Sequence, residues 1–136
     1  MSLLPMRAML YAKDHFPYEQ YENAFGELWV FLWREHRDVS KSEVLKECLC
    51  EHFAEGECDA ILKGATEGKY KKMLVDETAM LVEKGAFGAP WFVVRNGEGK
   101  EENFFGSDRW HFMYQFLGVP FQDIAVLPPG KDAAKL

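Results

Sequence analysis

The chain has 136 residues, of which 48% are hydrophobic, 15% are aromatic and 28% are charged. This length and apolar content predict a single folded domain with its own core and exclude a disordered chain. The formal net charge is −6, and no run of Lys and Arg forms a basic patch. Because nucleic-acid affinity depends on neutralising phosphates, we expect no nucleic-acid partner.

The sequence also lacks the patterns of membrane and metal proteins. Its longest apolar run, Leu28–Trp33, is far shorter than the roughly 18–20 residues that span a bilayer, so we expect no membrane segment. Cys48, Cys50 and Cys58 form no CxxC motif, and the four histidines are scattered, so we expect no bound metal. Residues two apart on a helix point to nearly opposite sides, which makes Cys48 and Cys50 a poor redox pair. We expect reduced cysteines in an intracellular protein.

Helical periodicity dominates the first part of the chain. The spacing predicts helices over Leu4–Phe16 and Tyr18–His36, the second with apolar positions three and four apart. Leu28–Trp33 is apolar on every side, so we expect it to be covered all round by the domain, a partner subunit or a ligand. A capping box at Ser40–Glu43 predicts a third helix through Phe53.

Two further helices and a β-hairpin are predicted after this region. The helices are expected over about residues 58–67 and 70–84, and Gly85 is expected to end the second one. Pro90–Arg95 and Glu101–Phe105 have strand character on either side of an Asn-Gly turn signal.

A final helix is expected to open at Gly106-Ser107-Asp108, with Ser107 or Asp108 as N-cap, and to run through Leu117. The organisation predicted is a single domain with a helical part over about 4–85 and a ββα part over about 86–118. The segment 128–136 has no apolar periodicity and is expected to be a mobile tail.

Two motifs flank the predicted hairpin, Gly85-Ala86-Phe87-Gly88-Ala89-Pro90 before it and Phe105-Gly106-Ser107-Asp108-Arg109 after it. With them, the chain from about Leu3 to Gly118 resembles the kappa-class glutathione transferases and the related 2-hydroxychromene-2-carboxylate isomerases, which have a DsbA-like thioredoxin fold. The resemblance implies an α+β fold, in which a helical domain precedes the ββα half of a thioredoxin-like fold. It also implies a glutathione transferase-like or isomerase-like enzyme that acts on or binds a small organic molecule.

The resemblance implies a place for glutathione. In thioredoxin-like folds, the residue before a cis-proline turns its backbone groups outward, where they pair with a bound thiol peptide. By resemblance, Ala89-Pro90 is that element, and Ser107 and Asp108 contact the γ-glutamyl end at a helix start that favours a carboxylate. Arg109 is expected to be a structural ion-pair partner. The alternatives are an ordinary trans X-Pro bond and a plain helix N-cap.

The family's catalytic serine has no counterpart here, so the catalytic residue is unknown. Relatives carry that serine in the first loop of an N-terminal βαβ unit, whereas this chain begins at Met1, just ahead of the helical part. We expect an N-terminally truncated member whose strand at Trp91–Arg95 has an unpaired edge. A second subunit, a rearranged segment or a partner chain is expected to cover that edge, and a homodimer is the assembly predicted.

Two other interpretations remain open. The first is a non-thiol cavity protein or cyclase, with an aromatic substrate pocket of Tyr11, Trp29, Trp33 and Trp91 that holds an apolar ligand. Ordinary core packing is the alternative role for those aromatics. The second is an incomplete gene product or interaction module that needs a partner strand. The C-terminal Ala134-Lys135-Leu136 resembles the Ser-Lys-Leu peroxisomal address, which predicts a peroxisomal location and otherwise a cytoplasmic or mitochondrial one.

Overall fold

The computed structural model describes residues 3–121, and helices precede a β-hairpin within that range. This order confirms the predicted α+β fold. The expected mobile tail and the C-terminal Ala-Lys-Leu lie outside the described residues. In chain order the elements are α1 (Leu3–His15), α2 (Tyr18–Trp29), a π-helical turn (Val30–Arg34), α3 (Ser42–Cys50), α4 (Glu55–Ala65), α5 (Gly68–Glu83), β1 (Trp91–Arg95), β2 (Glu101–Phe105) and α6 (Trp110–Leu117).

The chain divides into two compact units, Met1–Met80 and Leu81–Leu136. The first holds the helices from α1 to most of α5, and the second holds the hairpin and α6. No helix in the described part of the chain is both long and apolar enough to cross a membrane.

Close packing of α1 on α4 builds the core of the first unit. Ala8 and Ala12, four residues apart on one face of α1, are completely buried, and so is Ile61 on α4. Gly64 allows the close approach, because a Cβ atom built there would lie only 2.0–2.8 Å from ring atoms of Tyr11. Small residues on both helices therefore let the two backbones come near each other.

The long second helix ends in a wider turn than the sequence predicts. The Glu35 N–H donates to the Val30 carbonyl at 3.0 Å, which is the i→i+5 bond of a π-helix. His36 then takes a left-handed conformation with φ 55°, and the helical path stops. The continuous helix predicted over Tyr18–His36 is thus α2 followed by one π turn.

The apolar run Leu28–Trp33 is covered on one side only in this structure. Leu28 and Phe31 are buried, whereas Trp29 and Trp33 are 42% and 68% exposed. In the described part of the chain the domain itself leaves Trp29 and Trp33 exposed, and cover by a partner subunit or a ligand stays a prediction.

The predicted capping box at Ser40–Glu43 is also wrong. The Ser40 hydroxyl and the Ser40 N–H both donate to one carboxylate oxygen of Asp38, at 2.6 and 3.1 Å. Because the Ser40 hydroxyl is bonded to Asp38, it does not cap the helix. Helix α3 begins at Ser42 without a side-chain cap. By contrast, Gly85 ends α5 as predicted, with φ 90°.

The second unit is an antiparallel hairpin covered on one face by α6. The register pairs Trp91 with Phe105 and Arg95 with Glu101, as the two predicted strands require. The side-chain oxygen of Asn96 accepts from two backbone N–H groups of the connecting loop, each at 3.0 Å.

Aromatic pairs hold α6 against this sheet. The rings of Phe92 and Trp110 lie 5.1 Å apart between centroids, and those of Phe104 and Phe116 lie 5.9 Å apart. Within residues 3–121, β2 is the only strand that pairs with β1.

Candidate functional site

The two motifs that flank the hairpin meet at one end of it. The Ala89-Pro90 peptide bond is cis, as predicted. The Gly106 N–H donates to the Pro90 carbonyl at 3.0 Å, one residue beyond the Trp91–Phe105 pair. This bond brings the turn that contains Ala89-Pro90 beside the loop that begins at Gly106.

The Gly106 loop exposes two of the predicted binding residues. Ser107 and Asp108 are both exposed, and the Asp108 carboxylate lies 3.8 Å from the Arg109 Nε, the ion pair expected for Arg109. Gly106 has φ 91°, and a Cβ atom there would lie 2.7 Å from the Asp108 Oδ1. The left-handed backbone conformation favours glycine at this position, and the Asp108 carboxylate occupies the space that a side chain would take.

The predicted N-cap role of Ser107 or Asp108 is wrong. Helix α6 begins at Trp110, with Arg109 as the cap residue and no side-chain cap bond. The reason is that the chain first bends through the Gly106 loop, and Asp108 folds back over Gly106. The exposed side chains of this loop thus remain available to a ligand.

An open groove of about 440 Å³ lies beside this loop. Its volume falls in the range of small-molecule sites. Phe87 is 76% exposed, and its ring lies 4.5 Å from the ring of Phe105 and 5.5 Å from that of Trp91. The residues that line the groove are Phe87, Glu102, Asn103, Phe104, Phe105, Arg109 and Phe112. The sequence prediction missed Phe87 and Phe112. An apolar residue inside the glycine-rich turn was the available signal for Phe87.

The first unit has an apolar cavity of only about 20 Å³. That volume is roughly the space of one water molecule, so the cavity as formed does not hold an organic ligand. Trp29 lines it, but Tyr11 and Trp33 do not, and Trp91 belongs to the second unit. The lining residues are Pro5, Met6, Phe25, Leu28, Trp29, Leu32 and Val39. The four aromatics predicted as one substrate pocket are not gathered around this cavity, and their role in binding stays a prediction.

Tyr11 instead belongs to a polar cluster that joins α1 to α5. Its ring stacks on that of His15 at 4.0 Å, and the buried Tyr70 hydroxyl donates to Asp14 at 3.2 Å. Lys69 also donates to Asp14, at 2.8 Å, and this hydrogen bond lowers the pKa of the Asp14 carboxyl. Burial raises the pKa of the Tyr70 hydroxyl, which therefore stays protonated at neutral pH. The polar groups of the cluster form hydrogen bonds with one another, which indicates that the cluster stabilises the packing of α1 on α5.

The cysteines and acidic residues do not assemble a metal centre in the described range. Among residues 3–121, no group of three His, Cys, Asp or Glu side chains is placed to hold a metal ion. Burial raises the pKa of the Cys48 thiol to about 12, so this cysteine supplies no thiolate at neutral pH.

The family described as DSBA-like thioredoxin domain matches residues 1–118 of this chain. The chain belongs to that family. Glutathione S-transferases of the kappa class are among the curated proteins similar to this chain. Glutathione S-transferase kappa 1 of Caenorhabditis elegans is 33% identical over 97 residues, which cover 71% of this chain and 42% of that protein. Glutathione S-transferase kappa 1 of Homo sapiens is 27% identical over 133 residues, 97% of this chain and 57% of that protein.

A third relative gives the same result. Glutathione S-transferase kappa 1 of Rattus norvegicus is 29% identical over 116 residues, which cover 85% of this chain and 50% of that protein. The chain thus spans about half the length of the curated relatives it matches. These matches confirm the kappa-class resemblance of this DSBA-like chain, which rested on the two motifs around the hairpin.

Proposed function

We propose that this protein is kappa glutathione transferase-like and binds glutathione at the Ala89-Pro90 turn and the Ser107-Asp108 loop. The observation that carries the proposal is the 3.0 Å bond from the Gly106 N–H to the Pro90 carbonyl. This bond joins the turn that contains Ala89-Pro90 to the loop that begins at Gly106, which supports a shared site. The names of the similar proteins, glutathione S-transferases kappa, support the same ligand.

The chemistry of the two segments fits the two ends of the tripeptide. The backbone groups of Ala89 are suited to pair with the cysteinyl residue of glutathione, as an added strand would. The Asp108 carboxylate, with its side chain 81% exposed, is suited to receive the ammonium of the γ-glutamyl end. Ser107 is exposed next to it and offers a hydroxyl to the carboxylate at that end.

The aromatic groove gives the proposal a place for a second, small organic molecule. Phe87, Phe105 and Phe112 supply apolar surface, and Arg109 connects the groove to the glutathione loop along the chain. An apolar molecule with a flat ring fits these walls, because offset stacking on aromatic side chains contributes beyond area burial. The groove in the second unit is therefore preferred over the small cavity in the first.

Calorimetric titration with millimolar glutathione tests this proposal. Asp108→Ala should weaken binding by about 1.5–3 kcal/mol, because it removes a hydrogen bond to a charged group. Glu98→Ala is the matched control, since Glu98 is also an exposed carboxylate but lies in the loop at the opposite end of the hairpin. Absence of binding by the unaltered protein, or equal weakening by both variants, would overturn the proposal.

A homodimer is proposed as the assembly. Trp29 and Trp33 are largely exposed, and β1 has one edge without a strand partner within residues 3–121. Stable interfaces bury on the order of 1,000 Å² or more, and exposed indoles and open strand edges are suited to such contacts. A monodisperse monomer in light scattering at micromolar concentration would contradict the dimer.

A peroxisomal location is proposed from Ala134-Lys135-Leu136. A fluorescent fusion that leaves this end free should enter peroxisomes, and the same fusion with one residue added after Leu136 should not. Identical distributions of the two fusions would contradict the proposal.

A further inference from the structure

Cys50 and Cys58 come close together where α3 turns into α4. Cys50 is the last residue of α3 and is exposed, whereas Cys58 lies in the first turn of α4 and is completely buried. The Phe53 N–H donates to the Leu49 carbonyl at 2.9 Å, and the Cys58 thiol donates to the Phe53 carbonyl at 3.5 Å. Phe53 thus lies one helical turn beyond Leu49 and also contacts the Cys58 thiol, which places Cys58 beside the C-terminal end of α3.

A lysine joins the same parts of the two helices. Lys46 precedes Cys50 by four residues and so lies one turn away on the same face of α3. Its Nζ is 2.7 Å from a carboxylate oxygen of Asp59 and 3.5 Å from one of Glu55, both on α4. The face of α3 that carries Cys50 thus borders the turn of α4 that carries Cys58.

We propose that Cys50 and Cys58 form a dithiol site, which a small disulfide such as oxidised glutathione converts into an intrachain disulfide. The asymmetry of the pair sets the order of events: the exposed thiol reacts first with the disulfide from solution, and the buried thiol resolves the product. This site does not depend on the glutathione site of the second unit, because the first step needs only access to Cys50.

The exchange balances in two steps. The Cys50 thiolate attacks one sulfur of oxidised glutathione, a Cys50–glutathione mixed disulfide forms, and one glutathione leaves as thiolate. The Cys58 sulfur then attacks the Cys50 sulfur, the Cys50–Cys58 bond forms, and the second glutathione leaves with the proton that Cys58 gives up. Two protein thiols are oxidised, and one molecule of oxidised glutathione is reduced to two of glutathione.

The surroundings of Cys58 make the second step slow and dependent on pH. Burial first, and then the hydrogen-bonding contact with Cys50, raise the pKa of the Cys58 thiol to about 12. Of the charged groups that face it, Lys46 on α3 favours the thiolate and Asp59 on α4 opposes it. Because only the thiolate attacks, the rate of resolution should rise about tenfold for each pH unit between neutral and mildly alkaline solution.

Timed reaction of the purified full chain with excess oxidised glutathione tests the proposal. Samples are quenched with acid, alkylated and mapped as peptides by mass spectrometry, so that disulfide partners are identified in the unaltered protein. The Cys50 mixed disulfide should appear first and then convert to the Cys50–Cys58 disulfide, with the conversion accelerating as the pH is raised.

Three variants separate the roles. Cys58→Ala should accumulate the mixed disulfide and Cys50→Ala should not react, whereas Cys48→Ala should behave as the unaltered protein. Cys48 is the matched control because it is also fully buried and lies on the same helix as Cys50. A mixed disulfide that never converts at alkaline pH, or a disulfide that involves Cys48, would overturn the proposal. Peptide mapping of the unaltered chain decides this even if a variant fails to fold.

Discussion

In the first unit, α1, α3 and α4 bury side chains completely, whereas in the second unit α6 buries none. Phe104, which is 8% exposed, is the only buried hydrophobic residue between residues 81 and 121. The aromatic surface of the second unit remains open instead, with Phe87 at 76% and Phe112 at 49% exposed. The helical unit thus has a closed core of its own, and the hairpin unit offers surface for a ligand or a partner.

Core truncations should show the largest difference. Ile61→Ala removes a fully buried side chain of α4 and should lower the free energy of unfolding by about 2–5 kcal/mol, from lost burial and the cavity left behind. Its neighbour Leu62 is only partly buried, so Leu62→Ala should lower the free energy of unfolding by less. Phe112→Ala, in the second unit, should lower it least, because Phe112 is 49% exposed. Urea unfolding followed by circular dichroism measures all three. A loss from Phe112→Ala as large as that from Ile61→Ala would break the comparison.

A glycine pair within α4 gives an effect of intermediate size. Gly64→Ala should destabilise by roughly 1–3 kcal/mol, because its Cβ atom overlaps the ring of Tyr11. Gly56→Ala should instead stabilise by about 0.5–1 kcal/mol, since nothing lies within 4 Å of that position and alanine favours the helix. Thermal melts of the two variants against the unaltered chain measure the difference. Equal effects would show that α1 and α4 are less closely packed than the geometry indicates.

Two carboxylates, one in each unit, should give the smallest effect. The hydrogen bond from Lys69 lowers the pKa of Asp14, and the one from Lys84 lowers the pKa of Glu101. A carboxyl with a lowered folded-state pKa stabilises the protein above its unfolded-state pKa and loses that contribution as the pH falls through the folded-state value. Asp14→Asn and Glu101→Gln should therefore each lower the melting temperature at pH 6.

The difference in melting temperature between each variant and the unaltered protein should become smaller as the pH falls towards 3. Asp14→Asn should have the larger effect at pH 6, because Asp14 also accepts from the buried Tyr70 hydroxyl, whereas neither partner of Glu101, Lys84 or Arg95, is buried. Melting curves at a series of pH values check the order. A difference in melting temperature that becomes larger in acid would contradict the direction of both pKa shifts.

The hairpin and the main helices were predictable from the sequence for a simple reason. Each depends on a local pattern: alternation in Glu101–Phe105, an Asn-Gly turn before it, and spacings of three and four in the helices. The joining of the two motifs at Pro90 and Gly106 also followed, because the antiparallel register fixes which residues face each other.

The failures share a different cause, which is competition from a neighbour. Ser40 was expected to cap a helix, but its hydroxyl instead donates a hydrogen bond to Asp38, two residues before it. Ser107 or Asp108 was expected to cap α6, but Gly106 lets the chain bend, and the Asp108 carboxylate lies back over Gly106.

The π turn at Val30–Arg34 has a consequence for how relatives should be aligned with this chain. An i→i+5 turn encloses one residue more than an i→i+4 turn, so it is equivalent to a one-residue insertion in an α-helix. A relative with an uninterrupted helix here should match only after a single-residue gap is placed between positions 30 and 34. Without that gap, the last positions of this helical path, before it stops at His36, would be compared with residues about 100° away around the axis.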